Sequence, residues 1–338
     1  MTGPSKQLGN PFISLLIIGG LVAILLACSL GETPMRPLDL LRAMTGSGDP
    51  ANSVIVWSIR LPRALAAWIV GAALGLSGAA LQGLLRNPLA EPGVLGVSVW
   101  ASLGAVIAIY YGLTSQFAPA LQIGAVLGAL FATGVIALAA RGLGDTVSLI
   151  LIGVGLSSLG GALVSLALNL APNPFTLNDM VSWMMGSVAN RSFADIGLSG
   201  PIIAVGAGLI LATRRGLSAL TLGEETAHGL GLDLVRTRLL VTVGCGLAAG
   251  GSVALTGAIG FVGIITPHLV RPWVGGDPGR ALVPSALAGG LLIVLADIGA
   301  RLVPSDNELK LGVVAALIGA PVFLWIAARR RRGNGVSA

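Results

Sequence analysis

Charge is the scarcest ingredient of this sequence: Asp, Glu, Lys and Arg make up only 10% of its 338 residues, against roughly 25% in an ordinary soluble domain. So few ionisable groups cannot cover a water-soluble globule of this length, and that class is excluded. Lysine is scarcer still. The only two, Lys6 and Lys310, follow Ser5 and Leu309, whereas a nucleotide-binding P-loop needs Lys directly after Gly. If the protein uses nucleotide energy, another chain binds the nucleotide. Cys28 and Cys245 are the only cysteines; they are far apart and each lies inside an apolar run, so a disulfide framework and a Cys-based metal site both lack support. The two histidines, His228 and His268, fall in separate segments and suggest no metal centre.

What fills the chain instead is apolar. Hydrophobic residues make up 54% of it and glycines number 50, with a mean hydropathy of +0.91. A bilayer-spanning helix needs about 20 apolar residues, so the length accommodates about ten. The fold class expected is therefore an all-α polytopic membrane protein. The net charge of +6 could suggest nucleic acid, yet most of the basic residues are arginines at the ends of apolar stretches, where they act as topology signals. No nucleic-acid partner is expected.

Eight long stretches lack charge: 7 to 31, 64 to 85, 92 to 140, 146 to 178, 196 to 213, 239 to 270, 281 to 296 and 311 to 328. Two are long enough to double. The first has a polar break from Gly112 to Pro119 and reads as a helical hairpin; the second has a turn near Thr256 to Gly260 and a short helix ending around Pro267. The stretch from 146 is read as one span to about Leu170, stopped by Ala171-Pro172-Asn173-Pro174. Ten spans place both termini on one side, and the Arg329 to Arg332 tail puts that side in the cytoplasm. This arrangement sets 13 basic residues inside and 7 outside, the latter being Arg36, Arg42, Arg60, Arg63, Arg191, Arg301 and Lys310.

Glycines at helical spacing, Gly71, Gly75 and Gly78, then Gly246 and Gly250, suit close helix packing. One ionisable residue is expected within a span, Asp297, with Arg301 one turn on; the spacing reads as a structural ion pair. An ion-coupled carrier or channel acting alone, the rival function class, places ionisable residues within its spans and finds little here.

The most informative polar segment runs from Arg214 to Arg238. Thr221-Leu222-Gly223-Glu224 fits a capping box, so a short helix is expected through Glu225 to about Gly229, broken at Gly229 and Gly231. Asp233 is placed to cap the following span. A structured knob on an otherwise minimal membrane protein suggests a docking site for a soluble partner; the alternative is an ordinary interfacial loop.

Taken together, several motifs resemble one family. Arg60-Leu61-Pro62-Arg63, Gln82 to Gly96 (QGLLRNPLAEPGVLG), Leu222-Gly223-Glu224-Glu225 with Leu230-Gly231, Gly257 to Arg271 (GAIGFVGIITPHLVR), Leu295 to Arg301 (LADIGAR) and Gly312 to Phe323 (GVVAALIGAPVF) are similar to the permease subunits of type II ABC importers for iron-siderophores, haem and vitamin B12. One departure is Glu308-Leu309-Lys310-Leu311, where relatives commonly carry Glu-Leu-Pro.

The resemblance implies a single permease domain over residues 1–338 in the inner membrane, with ten spans and 214–238 as its cytoplasmic coupling segment. It implies a second permease subunit, two cytosolic ATPases that carry ATP and Mg2+, and an extracytoplasmic binding protein, with no cofactor in this chain beyond surrounding lipid. Leu222, Gly223, Glu224, Glu225, His228, Leu230 and Gly231 would seat in the ATPase; Arg60, Arg63 and Arg301 would receive the binding protein. Spans five and ten would line the axis, and Gly144, Asp145, Thr146, Val147 and Ser148 would form the cytoplasmic gate. ATP-driven alternating access of an iron chelate is the leading expectation, with cobalamin as the alternative.

Overall fold

The chain, described by a computed structural model over residues 11–31, 34–142, 146–303 and 308–333, is helical throughout, with no strand among those residues. Helix α1 (Pro11–Ser29) is followed by two short helices, α2 (Pro37–Thr45) and α3 (Pro50–Val54), and by a π-helical turn over Ile55–Arg60 that runs directly into α4 (Leu61–Leu85). The expected hairpin is present as α5 (Val97–Tyr110) and α7 (Ala120–Gly142), with the four-residue α6 (Leu113–Gln116) in the polar break. Then come α8 (Thr146–Asn169), α9 (Pro174–Met184) and α10 (Phe193–Ala212), the knob helices α11 (Arg214–Ala219) and α12 (Glu224–Gly229), and finally α13 (Leu234–Thr256), α14 (Val262–Val270), α15 (Pro278–Leu302) and α16 (Leu311–Gly333). Among the described residues, seven helices are long and apolar enough to cross a membrane, and α5 and the start of α16 are shorter apolar helices. The eighth crossing expected from the sequence falls on α14, whose nine residues span only about 13 Å, less than half the hydrocarbon core.

Glycine explains how these helices pack. Helix α4 lies against α13, α14 and α15, and a Cβ added to Gly71, Gly75 or Gly78 would come within 2.2, 2.2 and 2.0 Å of the carbonyl oxygens of Gly289, Ser285 and Gly263. Backbones therefore meet directly, the approach that small residues permit in membranes. Gly246 and Gly250 make room on α13 for the side chains of Thr133 and Ala129 of α7. Gly78→Val forces a backbone apart rather than a side chain, and should cost about 1–3 kcal/mol or more, read as a lowered unfolding midpoint in detergent. Gly208→Ala, where nothing lies within 4 Å, should leave the midpoint unchanged.

Pro267 does not end α14 as the sequence suggested, because the helix continues to Val270. A proline inside a helix leaves the carbonyl four residues earlier without its donor. Here that carbonyl belongs to Gly263, and the Gln82 side-chain Nε2–H donates to it at 3.0 Å. A side chain of α4 thus supplies what the proline removed.

Two elements were not foreseen. Helix α2 begins with Pro37 and α9 with Pro174, each at the first helical position, where proline's missing N–H costs nothing. Asn173 caps α9 by accepting from the Thr176 N–H.

Candidate functional site

Polar chemistry is concentrated at the two ends of α4 and α15, which are about 37 Å long at 25 residues each. At one end is the knob. Helix α12 spans Glu224–Gly229 and α13 starts after Asp233, whose side chain accepts from the Arg236 N–H, as the sequence indicated. The expected capping box does not form. Thr221 sits in a 3-10 turn, and its hydroxyl donates to the Ser218 carbonyl at 2.7 Å instead. The helix starts three residues later, with Gly223 at φ 108° as its cap residue, a conformation open only to glycine.

Glu224, freed from capping, pairs with Arg238 of α13 at 2.9 Å. That tether fixes α12 to the membrane body, while Glu224 and Glu225 in its first turn complement the positive helix end. The base is also anchored: the Ser218 hydroxyl donates to Asp277, the cap residue of α15, at 2.7 Å, and the Arg86 guanidinium donates to the Leu220 carbonyl. The tip carries Leu222 and Leu230, 60% and 69% exposed, beside exposed Glu225, His228 and Gly231. A cleft of about 520 Å³ opens here, lined by Glu224, His228, Gly231 and Arg238 among others. The residues assigned to coupling therefore form one rigidly based projection with apolar tips.

At the opposite end, Asp297 is almost fully buried and pairs with two arginines rather than one. Arg301 lies 2.8 Å away at i+4, as expected, and Arg63 of α4 lies 2.7 Å away from the other carboxylate oxygen. Glu308, ahead of α16, also pairs with Arg63. The structure departs from the sequence expectation at Arg60, which is not an open rim residue: it is 6% exposed and donates to the Cys28 and Ser29 carbonyls at 2.9 and 3.2 Å. Arg301 donates to Ala27 and Leu30. Helix α1 has no basic residue in its last turn, and these two arginines serve the carbonyls of its last turn, Ala27 and Cys28, that have no intrahelical donor.

The π-turn accounts for the geometry. Pro62 has no N–H, and the Leu61 N–H reaches back five residues to Val56. The inserted residue re-aims the side chains that follow, so Arg60 faces α1 while Arg63 faces α15. Arg191, in the loop between α9 and α10, is held below the usual guanidinium range by burial, with Asp195 opposing the shift.

Among the gate residues, Gly144 and Asp145 lie outside the described residues, and Thr146 to Ser148 form the first turn of α8. No group of three His, Cys, Asp or Glu able to hold a metal ion occurs among the described residues. Sequence reasoning missed Glu308, hidden because ion pairing across more than two hundred residues leaves no local pattern, and Glu91, discussed below.

The comparisons agree on what carries these two ends. The model of the FecCD transport family matches residues 16–329. The vitamin B12 import system permease protein BtuC of Vibrio cholerae is 44% identical over 278 residues, covering 81% of this chain and 83% of that protein. Its namesake in Citrobacter koseri is 39% identical over 322 residues, covering 95% of both. A solved structure described as an inward-facing conformation of a metal-chelate type ABC transporter superposes with a TM-score of 0.83 at 30% identity, covering 94% of this chain and 98% of that one. A glycine-packed helical body with a structured projection at one end and an arginine–carboxylate cluster at the other, matched over nearly its whole length by such relatives, belongs to the FecCD transport family as a membrane permease subunit of a type II ABC importer.

Proposed function

We propose that this permease moves a cobalamin across the inner membrane. The observation that carries this reading is the identity of about 40% over nearly the full chain with permeases named for vitamin B12. This favours the alternative reading of the sequence over its leading one, an iron chelate. Apolar spans suit it: a large chelate handed over by a binding protein needs a passage rather than a tight site. The decisive measurement is ATP-dependent uptake by the permease reconstituted with its ATPases and binding protein. Labelled cyanocobalamin should accumulate; uptake of a ferric siderophore with none of cyanocobalamin would overturn the assignment.

A permease of an ABC importer works with ATPases and a binding protein, generally as a dimer. In this proposal the dimer is of two identical chains, both termini are cytoplasmic, and ATP and Mg2+ reside on two cytosolic ATPase subunits. The knob from Leu222 to Gly231 fills a socket on each ATPase, its exposed leucines supplying apolar contact and Glu225 and His228 the polar rim. ATP-driven closure moves the knobs, and α8 and α16 open the axis to one side at a time, with residues 144–148 as the inner gate.

On the outer face, the exposed edges of Arg63 and Arg301, whose side chains are 14% and 12% exposed, receive acidic residues of the binding protein, with Glu308 as the competitor already in place, whereas Arg60 supports them from within. Rim charges act chiefly on association rate. Glu308→Gln should therefore speed binding-protein association about two- to three-fold at low salt, the gain vanishing above about 0.5 M where screening is strong. Surface plasmon resonance on the immobilised complex measures it; an unchanged rate at all salt concentrations would remove these arginines from docking.

A further inference from the structure

Glu91 places a carboxylate at a depth where the sequence suggested none. It lies in the connection from α4 to α5, and a Cβ built on Gly263 would be 3.4 Å from the Glu91 Cβ and 3.3 Å from the Leu74 carbonyl oxygen. Leu74 is well inside α4. The distance along the axis from Leu74 to the helix end at Leu85 is about 16 Å, half of a hydrocarbon core of about 30 Å. An acidic side chain at such depth carries a desolvation cost and persists where something needs it.

Its partner is specific. Glu91 Oε2 accepts from the Phe261 N–H at 3.1 Å. Phe261 is the residue before α14, is left-handed at φ 67°, and its own side chain caps nothing. A helix start leaves backbone donors without acceptors. The Glu91 carboxylate supplies an acceptor from another part of the chain.

The bond joins two segments, each of which rests on a further helix. The segment that carries Glu91 rests on α8: a Cβ on Gly153 would lie 2.8 Å from the Val94 carbonyl oxygen, and one on Gly96 3.0 Å from the Ser157 nitrogen. Phe261 rests on α16, where a Cβ on Gly319 would lie 2.3 Å from the Phe261 Cβ. Helices α8 and α16 are thus linked through the packing of Glu91 and Pro92 on Gly263 and through one directional contact, the hydrogen bond between Glu91 and Phe261.

We propose that Glu91 is a positioning residue for transport, a clasp on the start of α14 that makes α8 and α16 move as a linked pair. The proposal rests on the reading above in which those two helices line the pathway. With the clasp in place, motion delivered at the knob reaches both helices together. Without it, hydrolysis continues while the pathway opens incompletely, so coupling falls rather than folding. Loss of the carboxylate also removes a desolvated charge, which offsets the lost bond in the stability of the chain.

The test separates acceptor from charge. In liposomes containing the permease, its ATPases and its binding protein, cyanocobalamin transported per ATP hydrolysed is measured for each variant. Glu91→Gln keeps an oxygen acceptor at the same reach and should stay within about two-fold of the parent. Glu91→Ala, and Glu91→Asp with its charge but one methylene less, should lower the ratio about ten-fold with hydrolysis per complex retained, as expected for losing the hydrogen bond itself. A role in folding alone would change the yield of complex and leave this ratio unmoved. Parental coupling in both Ala and Asp variants, or a Gln variant as defective as Ala, overturns the clasp.

A second measurement needs no transport. Spin labels at the exposed positions Leu159 of α8 and Leu317 of α16, in dimers diluted with unlabelled chain, should give a broader distance distribution in the Ala and Asp variants than in the parent or Gln variant. Identical distributions in all four proteins also overturn the clasp. If the parent complex transports no cyanocobalamin while the distributions differ as expected, the substrate reading fails and the clasp stands.

Discussion

Replacing Asp297 with alanine should destabilise the permease by about 3–5 kcal/mol, the cost of leaving buried charges without their counter-ion. Asp297 is 1% exposed and is the carboxylate shared by Arg63 and Arg301. Its removal leaves Arg301 without its carboxylate and Arg63 with Glu308 alone at the junction of α1, α4 and α15. The effect is measurable as the denaturation midpoint of the detergent-solubilised chain and as a loss of folded protein in the membrane. Glu308→Gln, which removes the more exposed partner of Arg63, should change stability by no more than about 1 kcal/mol. Changing Arg63, Asp297 and Arg301 together to apolar residues should recover part of the loss, because no orphan charge remains. Recovery is incomplete, since Arg301 also serves the α1 carbonyls. An Asp297→Ala protein as stable as Glu308→Gln would show that the cluster is solvated and that its burial carries no weight.

The second large effect is on transport rather than stability. Gly231 has φ 87° and its N–H donates to the His228 carbonyl. Proline can meet neither requirement, because its φ is held near −65° and it has no donor. Gly231→Pro should therefore unseat the tip from Gly229 to Leu232 while α13, capped by Asp233, remains intact. Uptake in liposomes should fall about ten-fold or more, since misplacing a mechanical contact by an ångström or two is costly, with an unfolding midpoint close to the parent. Gly231→Ala keeps the donor and pays only left-handed strain of about 1–2 kcal/mol, so an intermediate loss is expected. Parental uptake by the proline variant would remove the knob from energy coupling.

Particular elements show which properties were legible without coordinates. The hairpin of α5 and α7 was readable because a long uncharged stretch exceeds one bilayer crossing and Gly112 to Pro119 offers a turn. The far end of the knob was readable because Gly231 and Asp233 act on their immediate neighbours. The same holds for Gly71, Gly75 and Gly78, whose spacing puts them on one face of α4. These are local properties, decided by a few consecutive residues and by the polarity of the surroundings.

Other features depended on which distant atoms were competing. Thr221 had the right neighbours to cap α12, yet the Ser218 carbonyl was nearer, and Glu224 found Arg238. Pro267 had the signature of a helix end, but Gln82 supplied the missing donor from another helix. Arg60 looked like a rim residue until the π-turn aimed it at α1, and Glu91 looked like a loop residue until its connection folded down beside Gly263. The sequence by itself determined that the chain is an all-helical membrane protein, where the α5–α7 hairpin turns and which face of α4 packs, because membrane insertion and backbone preference act locally. Only the tertiary structure decided which charge meets which carboxylate or carbonyl, because in a low-dielectric interior those pairings are set by approach in space, whatever the separation along the chain.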